Sequence, residues 1–363
     1  MNPLIEARMT LIQRCLADCV TENWQFSPDA ATQAFCLARL SELSRSSSLH
    51  DKFYHELGDK PWRAPTRLLI VVSESDPLGT LEALLASYLI GSKIRIKTRL
   101  STQWLQTIRQ RLDLDEDECQ ILEWDSQHQD DTQILDGIDT ILLAGGDALI
   151  RHYRQVTPSH IKLIELGPKI SGMAIAGTSL PDIDLLLRDF CLFQQQVCSS
   201  PRFILLENAE SAAELYQQLS TRLDALSVLP DALRLQQMAK YQSLKLTEAL
   251  NPTEFSTRYS KTTGWGLTYQ TQFNPSQWLP AGFQLVVAPI EESLTLAQSQ
   301  WVGQLQTLGY HGSLRHLPLH HYSFTRYCPI GSMLLRPMSA AHDGFFMLSS
   351  LVYFINQEGD NFV

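Results

Sequence analysis

Between Arg67 and Ile164, short apolar runs alternate with segments of helical period, and few folds tolerate that rhythm. Leu68 to Val72 reads as a buried strand, Leu78 to Leu89 as an apolar helix, and Ser92 to Lys97 as an alternating strand. A helix from Trp104 to Leu112 and strands from Cys119 to Trp124 and from Thr140 to Ala144 follow. The last strand runs into Gly145, Gly146 and Asp147, and a helix to about Val156 leads to a strand from Ile161 to Glu165. This β-α-β succession predicts a parallel sheet with right-handed crossovers, a nucleotide-binding architecture.

A chain of 363 residues exceeds one small core, so two domains are expected. Residues 1–60 form a helical N-terminal region, with Leu4, Met9, Ile12 and Leu16, then Phe35, Leu37, Leu40 and Leu43, at helical spacing. Ser44 to Ser48 reads as a polar loop and Pro61 to Pro65 as a linker. Residues 61–168 then make the nucleotide-binding domain. Residues 169–329 make a second α/β domain. Its strands are Ile170 to Ile175, Phe203 to Glu207 and Gly282 to Ala288; its helices are Ala209 to Leu226, Pro230 to Leu250 and Leu294 to Leu308. Gly309 to Gly312 reads as a turn into Ser313 to Leu317. Residues 330–363 return to the first domain or to an oligomer interface.

Composition narrows the function classes. A hydrophobic fraction of 44% with 19% charged residues describes an ordinary folded protein, and a formal charge of −10 argues against a general nucleic-acid binder. The aromatic-rich stretch Phe345 to Ile355 is too short to span a bilayer. The opening residues, Met1 to Arg8, lack the basic and apolar regions of a secretory signal, so a cytoplasmic location is expected. Seven unclustered cysteines suit neither a disulfide framework nor a zinc site. Cys15 and Cys19 share one helical face and read as buried small residues. His311, His320 and His321 lack a third ligand of convincing spacing, so no metal is expected.

The chemistry concentrates between Glu165 and Arg202. Glu165-Leu166-Gly167-Pro168-Lys169 ends a strand, and Cys198 lies 33 residues beyond that glutamate. Asp182 to Gln196, in between, reads as an amphipathic helix. A thiol nucleophile needs a base and polar donors around its carbonyl adduct. The first segment resembles the Glu-Leu-Gly-Gly-Lys signature of the aldehyde dehydrogenase superfamily, and the glutamines before Cys198 resemble its Gly-Gln-x-Cys signature. With Cys198-Ser199-Ser200-Pro201-Arg202, the chain is most similar to the LuxC-type acyl-CoA reductases, the fatty-acid reductase family of bacterial luminescence. Arg326 to Gly331, His342-Asp343-Gly344 and the hydrophobic tail extend the likeness, which covers roughly Arg67 to the C-terminus.

The resemblance implies roles. Cys198 is the nucleophile. It follows a helix instead of opening one, so its activation must come from elsewhere. Ser199 and Ser200 donate hydrogen bonds or shape the turn. Glu165 is the general base or proton relay; capping a strand end is its plainer alternative. Relatives place an oxyanion-binding asparagine after the first strand of the nucleotide domain. Ser73 to Pro77 has none, and Ser75 is the nearest donor, a departure that weakens the site because one lost donor costs about 100-fold or more. Lys97 matches the lysine that binds the adenosine ribose. Leu100 stands where an acid often follows, with Arg95, Arg99 and Ser101 nearby, so NADPH is expected, NADH being the alternative. Gly145, Gly146 and Asp147 match a short turn facing the pyrophosphate, with Asp147 as a plain helix N-cap the alternative. Gly167 joins the cofactor-binding positions. Leu279 to Phe283 lacks the acid that grips the nicotinamide ribose in relatives. His342 and Asp343 have the composition of a proton relay or of a structural turn.

The resemblance therefore implies an aldehyde-dehydrogenase-like α/β fold with cofactor and thioester in the cleft between two domains. The implied activity is NADPH-dependent reduction of an acyl-CoA, or another activated acyl donor, to an aldehyde through a cysteine thioester. An acyl-protein synthetase or transferase partner and a homo-oligomer belong to the same expectation. The competing classes are a non-catalytic or acyl-carrying protein, an NAD(P)-dependent aldehyde dehydrogenase running in the oxidative direction and a cysteine thioesterase.

Overall fold

The computed structural model describes residues 2–71, 76–99, 103–125, 128–315 and 317–356. The chain forms two units, Met1–Pro168 with Pro337–Val363, and Lys169–Arg336.

The first unit opens with three helices, α1 (Pro3–Thr21), α2 (Ala30–Leu43) and α3 (Ser46–Glu56). The expected polar loop at Ser44 to Ser48 is corrected here, because Ser46 to Ser48 form the first turn of α3. A short strand, β1 (Trp62–Arg63), replaces the expected linker. Then come β2 (Arg67–Val71), α4 (Pro77–Ile90), β3 (Lys93–Thr98), α5 (Gln103–Arg111), β4 (Cys119–Glu123), β5 (Thr140–Ala144), α6 (Asp147–Val156) and β6 (Lys162–Leu166). The sheet order is β4-β3-β2-β5-β6 and every pairing is parallel. Strand order therefore reverses beside β2, and the crevice beyond the ends of β2 and β5 is the ligand-binding position of such sheets.

Both faces of this sheet are covered, which explains its near-continuous apolar strands. Leu68 and Ile70 point with Ile94 and Ile96 toward α1, α4 and α5, while Leu69 and Val71 point with Ile141 and Leu143 toward Ile150 and Tyr153 of α6. Helix α4 is apolar almost all round because it is sandwiched. Asp76 caps its start by accepting from the Gly79 amide at 2.9 Å, and Gly91 ends it in the left-handed region.

The second unit contains β7 (Ile170–Ile175), α7 (Ile183–Cys191), β8 (Pro201–Leu206), α8 (Ala209–Arg222), α9 (Asp231–Leu250), β9 (Phe255–Tyr259), β10 (Gly266–Gln270), β11 (Gly282–Val287), α10 (Ile290–Gln300), β12 (Leu305–His311) and β13 (Arg326–Pro329). They build a seven-stranded sheet ordered β13-β12-β7-β8-β11-β10-β9, parallel except for the β9–β10 pair. Ile204 and Leu206 pack with α7 and α8 on one face; Phe203 and Leu205 pack with α10 on the other. The expected helix from Leu294 to Leu308 stops at Gln300, and Leu305 onward is strand. Residues 313–315 and 317 lie outside any strand.

The chain then returns to the first unit as α11 (Met347–Leu351) and β14 (Tyr353–Phe354), the latter pairing antiparallel with β1. Among the described residues, no helix is long and apolar enough to cross a membrane.

Candidate active site

In the second unit, the segment carrying Cys198 departs from the helix expected up to Gln196. Asp182 caps α7 by accepting from the Asp184 amide at 2.8 Å, and Leu186 and Phe190 bury one face. The helix ends at Cys191. Phe193, Gln194 and Gln195 then take φ values of 54°, 53° and 59°, three successive non-glycine residues in the left-handed region. Each costs about 1–2 kcal/mol. Burial of Phe193 and the Gln195 side chain offset that cost. Gln195 Nε2 donates to the carbonyls of Pro201 (2.6 Å) and Gly282 (3.1 Å), and its Oε1 accepts from the Gly282 amide (2.8 Å). One buried amide thus binds the segment before the cysteine to the starts of β8 and β11.

Cys198 itself is exposed on the turn that follows. Its carbonyl accepts from Ser171 Oγ at 2.7 Å, and Ser171 Oγ accepts from the Thr307 amide at 3.2 Å. The Ser200 amide closes the turn on the Val197 carbonyl at 3.0 Å. Ser200 Oγ is buried without a hydrogen-bond partner among the described residues. Arg202, half-buried, donates from Nη1 to the Pro280 carbonyl at 2.9 Å. Behind the turn, the fully buried Asp189 accepts from the amides of Gly331 (2.5 Å) and Met333 (3.3 Å). Burial pushes its carboxyl up to about 6, against the opposing pull of those amides and of Arg188 and Arg326.

The other sequence-derived positions lie in the first unit. Glu165 is half-buried near the end of β6, where Arg154 of α6 grips it through a forked ion pair, Nε to Oε1 at 2.6 Å and Nη2 to Oε2. Gly145 follows β5 beside it, its amide on the Leu166 carbonyl at 3.1 Å, so Gly145 and Gly167 leave adjacent strands together. Gly146 is the N-cap of α6, with no side chain capping the helix and no atom within 4 Å of where a Cβ would stand. Asp147, expected as an alternative N-cap, is instead the first helical residue, and its exposed carboxylate caps nothing.

Lys97 is buried at the end of β3. Its Nζ donates to both oxygens of Asp131, at 3.0 and 2.9 Å, and to the Tyr153 hydroxyl at 3.1 Å. Asp131 also meets Trp124 Nε1 at 2.7 Å and His152 Nε2 at 2.9 Å. The expected ribose-binding lysine is thus committed to an internal carboxylate that its sequence neighbours do not reveal. Arg95 is spent on the carbonyls of Ile134 and Asp136, whereas Arg99 is exposed just past β3. Ser75 lies outside the described residues.

A nicotinamide dinucleotide is the group this set would have to hold. The uncapped start of α6 and the open space at Gly146 fit a diphosphate, which helix amides favour. Asp147 works against it in the same turn, and Lys97 is already paired. The fit therefore rests on backbone at Gly145 and Gly146 more than on side chains.

His342, Asp343 and Gly344 form a tight two-residue turn. His342 and Phe345 exchange both backbone hydrogen bonds, and Asp343 and Gly344 take φ of 53° and 87°. An Asp-Gly pair is what such a turn selects. His320 and His321 lie with rings 4.1 Å apart, and no group of three metal-ligating side chains occurs among the described residues.

The signals missed in the sequence are Gln195, Ser171 and Arg202. Arg202 stood inside the cysteine motif, and its apolar strand setting was the available clue.

The family model described as "Acyl-CoA reductase (LuxC)" matches residues 36–354. A search of curated protein sequences finds no match. Lactaldehyde dehydrogenase from Escherichia coli superposes with a TM-score of 0.71 at 12% identity, covering 97% of this chain and 86% of that one. Putative aldehyde dehydrogenase PutA from Anabaena variabilis gives 0.69 at 13% identity, covering 99% and 90%. Glyceraldehyde-3-phosphate dehydrogenase GapN from Methanocaldococcus jannaschii, complexed with NADP, gives 0.67 at 12%, covering 97% and 89%. The fold is aldehyde-dehydrogenase-like.

Proposed function

The chain belongs to the acyl-CoA reductase (LuxC) family, and on that premise we propose that it reduces a fatty acyl-CoA to the aldehyde through a thioester on Cys198, using NADPH. The family makes it an oxidoreductase of acyl or aldehyde groups; the donor, the chain length and the cofactor are the proposal. The observation that carries it is the presentation of Cys198, an exposed sulfur on a turn pinned by Ser171 and Gln195. Strain held by buried partners at such a turn suits a group that must meet a substrate in one orientation.

In this reading, the Cys198 thiolate forms a carbon–sulfur bond to the acyl carbon. The carbon–sulfur bond to CoA breaks, and CoA leaves with that electron pair. The Cys198 amide and the Ser75 hydroxyl are the proposed donors to the oxyanion. Gly145, Gly146 and the first amides of α6 would hold the dinucleotide, with Arg99 toward the ribose phosphate and Lys97 retained as a structural ion pair. When bound, the reduced nicotinamide supplies the hydride that discharges the thioester as aldehyde. Glu165 handles protons only when its fork with Arg154 opens. An acyl-protein synthetase or transferase as acyl donor and a homo-oligomeric assembly remain part of the proposal.

Intact-protein mass spectrometry with a panel of acyl-CoAs tests it, with and without NADPH, beside Cys198→Ala. The expected result is an acyl mass on the native chain, absent from the variant and removed by NADPH with release of aldehyde. An adduct that NADPH leaves in place would favour an acyl-carrying role, a reading that the engaged Lys97 supports. No adduct with any chain length would sink the acyl-CoA reading.

A further inference from the structure

The turn bearing Cys198 is not at a helix N-terminus, so no helix dipole makes its sulfur nucleophilic. α7 ends at Cys191, three left-handed residues intervene, and the sulfur then emerges beside the start of β8. The charge that would favour an anionic sulfur has to come from a side chain. Four residues on, at the second position of β8, stands Arg202. Its strand neighbours Pro201 and Phe203 are buried, and Arg202 itself is half-buried between them.

An arginine in that setting is expensive unless a carboxylate or another anion pairs with it. Among the described residues, Arg202 has no carboxylate partner; Nη1 donates to the neutral Pro280 carbonyl at 2.9 Å. Burial pulls its affinity for the proton down, and the negative form of Cys198 is the charge that pushes it back up. The geometry agrees. Ser171 holds the Cys198 carbonyl and pairs in the sheet with Pro201, the residue before Arg202. Gln195 and Arg202, on either side of the cysteine, both anchor to the entrance of β11, at Gly282 and Pro280. Sulfur and guanidinium are thus fixed to one frame.

Among the described residues, the other charged side chains around this turn within the unit are occupied. Asp189 and Arg188 of α7 hold the turn at Gly331. Arg326 of β13 donates to the carbonyls of Ser332 and Met333, at 2.7 and 2.6 Å. Lys169, ahead of β7, donates to the Gly303 carbonyl at 2.8 Å. The starts of β11 and β12 present only neutral groups, at Pro280 and Gln306.

We propose that Arg202 is a positioning residue for the nucleophile, its guanidinium holding the Cys198 side chain in the anionic, attacking form. The thiol gives its proton to solvent, and the resulting sulfur anion is the charged partner that this half-buried cation otherwise lacks among the described residues. The inference rests on the reading of Cys198 as nucleophile, yet its test needs neither acyl donor nor cofactor. It also supplies the activation that the position of Cys198 after a helix leaves unexplained.

The test is the pH dependence of iodoacetamide alkylation at Cys198, followed by peptide mass spectrometry so that the other six cysteines do not interfere. Thiols beside a cation titrate between about 3.5 and 7.5, against about 8.5 for a free cysteine. The expected midpoint for the native chain is at least one pH unit below the free value. Arg202→Met should raise it by one unit or more, a tenfold or greater loss of alkylation rate near neutral pH, and Arg202→Lys should restore most of the difference. A native midpoint at the free-thiol value overturns the proposal whether or not any variant folds. So does a soluble Arg202→Met protein whose profile coincides with the native one. A low, Arg202-dependent midpoint in a protein that takes up no acyl group would uphold this inference while removing the acyl-CoA reading.

Discussion

At the scale of single residues, a strained backbone is kept only where side chains over-determine it, and Gln195 shows how. Its amide satisfies two carbonyls and one N–H that are otherwise buried, while its own φ of 59° is unfavourable for a residue with a Cβ. Removing the amide should therefore cost more than relaxing the backbone returns. Gln195→Ala is expected to lower the stability of the second unit by about 2–4 kcal/mol, because three backbone groups lose their partner. Gln195→Gly should sit above it by about 1 kcal/mol, since glycine accepts the left-handed region freely. Urea midpoints for both variants check this ordering; a glycine variant as stable as the native protein would mean that the amide contributes no more than the strain that glycine relieves. Neither this clamp nor the Lys97–Asp131 pair was legible in the sequence. Both join positions that no short-range rule links, 87 residues apart for Gln195 and Gly282 and 34 for Lys97 and Asp131. The placement of Glu165 near a strand end and of the glycines between β5 and α6 was legible because each lies in a contiguous motif.

At the scale of elements, the strands of the first unit's parallel sheet could be read from period and composition: β2 and β5 are apolar runs covered on both faces, and β3 alternates. The second unit was harder. β9 (Phe255–Tyr259) mixes buried and exposed residues at the sheet edge, β10 (Gly266–Gln270) buries the polar Thr268 and Gln270, and neither carries an apolar run. Between α10 and β12 the apolar spacing continues across the break, which hid the strand. Gly303, at φ 71°, was the stop signal that the helical reading passed over. Close packing between strands sets a further demand at β7. A Cβ at Gly172 would stand 2.2 Å from the ring of Phe203, which is fully buried and surrounded by Phe273, Trp278 and Trp301. That ring cannot swing aside without disturbing the aromatic cluster. Gly172→Ala should destabilise the second unit by about 1–3 kcal/mol as an overpacking change. Thermal unfolding followed by tryptophan fluorescence reads it directly, and an unchanged midpoint would show that Phe203 has room to move.

At the scale of the whole molecule, the first unit is discontinuous in sequence, and its completion depends on residues that follow the second unit. Met347, Leu348, Leu351 and Val352 are buried in the same core as α1, α3 and α4. Polar contacts fasten the return. The buried Lys52 Nζ meets Glu56 at 2.6 Å and donates to the Met338 carbonyl at 3.2 Å, Glu56 accepts from the Leu348 amide, and Lys162 donates to the Val352 carbonyl at 3.1 Å. β14 then pairs with β1. Four buried apolar side chains at about 1.5–3 kcal/mol each amount to something on the order of 10 kcal/mol, comparable with the whole stability of a typical domain. Their loss would also strand the Lys52–Glu56 pair beside open apolar surface. A variant ending at Arg336 is therefore expected to lose the cooperative folding of the first unit, and Leu348→Ala alone to cost about 2–5 kcal/mol. Hydrogen exchange at α4 and at β2 to β3 measures both, since these amides lie in the core that the return segment closes. Native-like protection of α4 in the shortened chain would mean that the helices of the first unit close their own core and that the return only covers it.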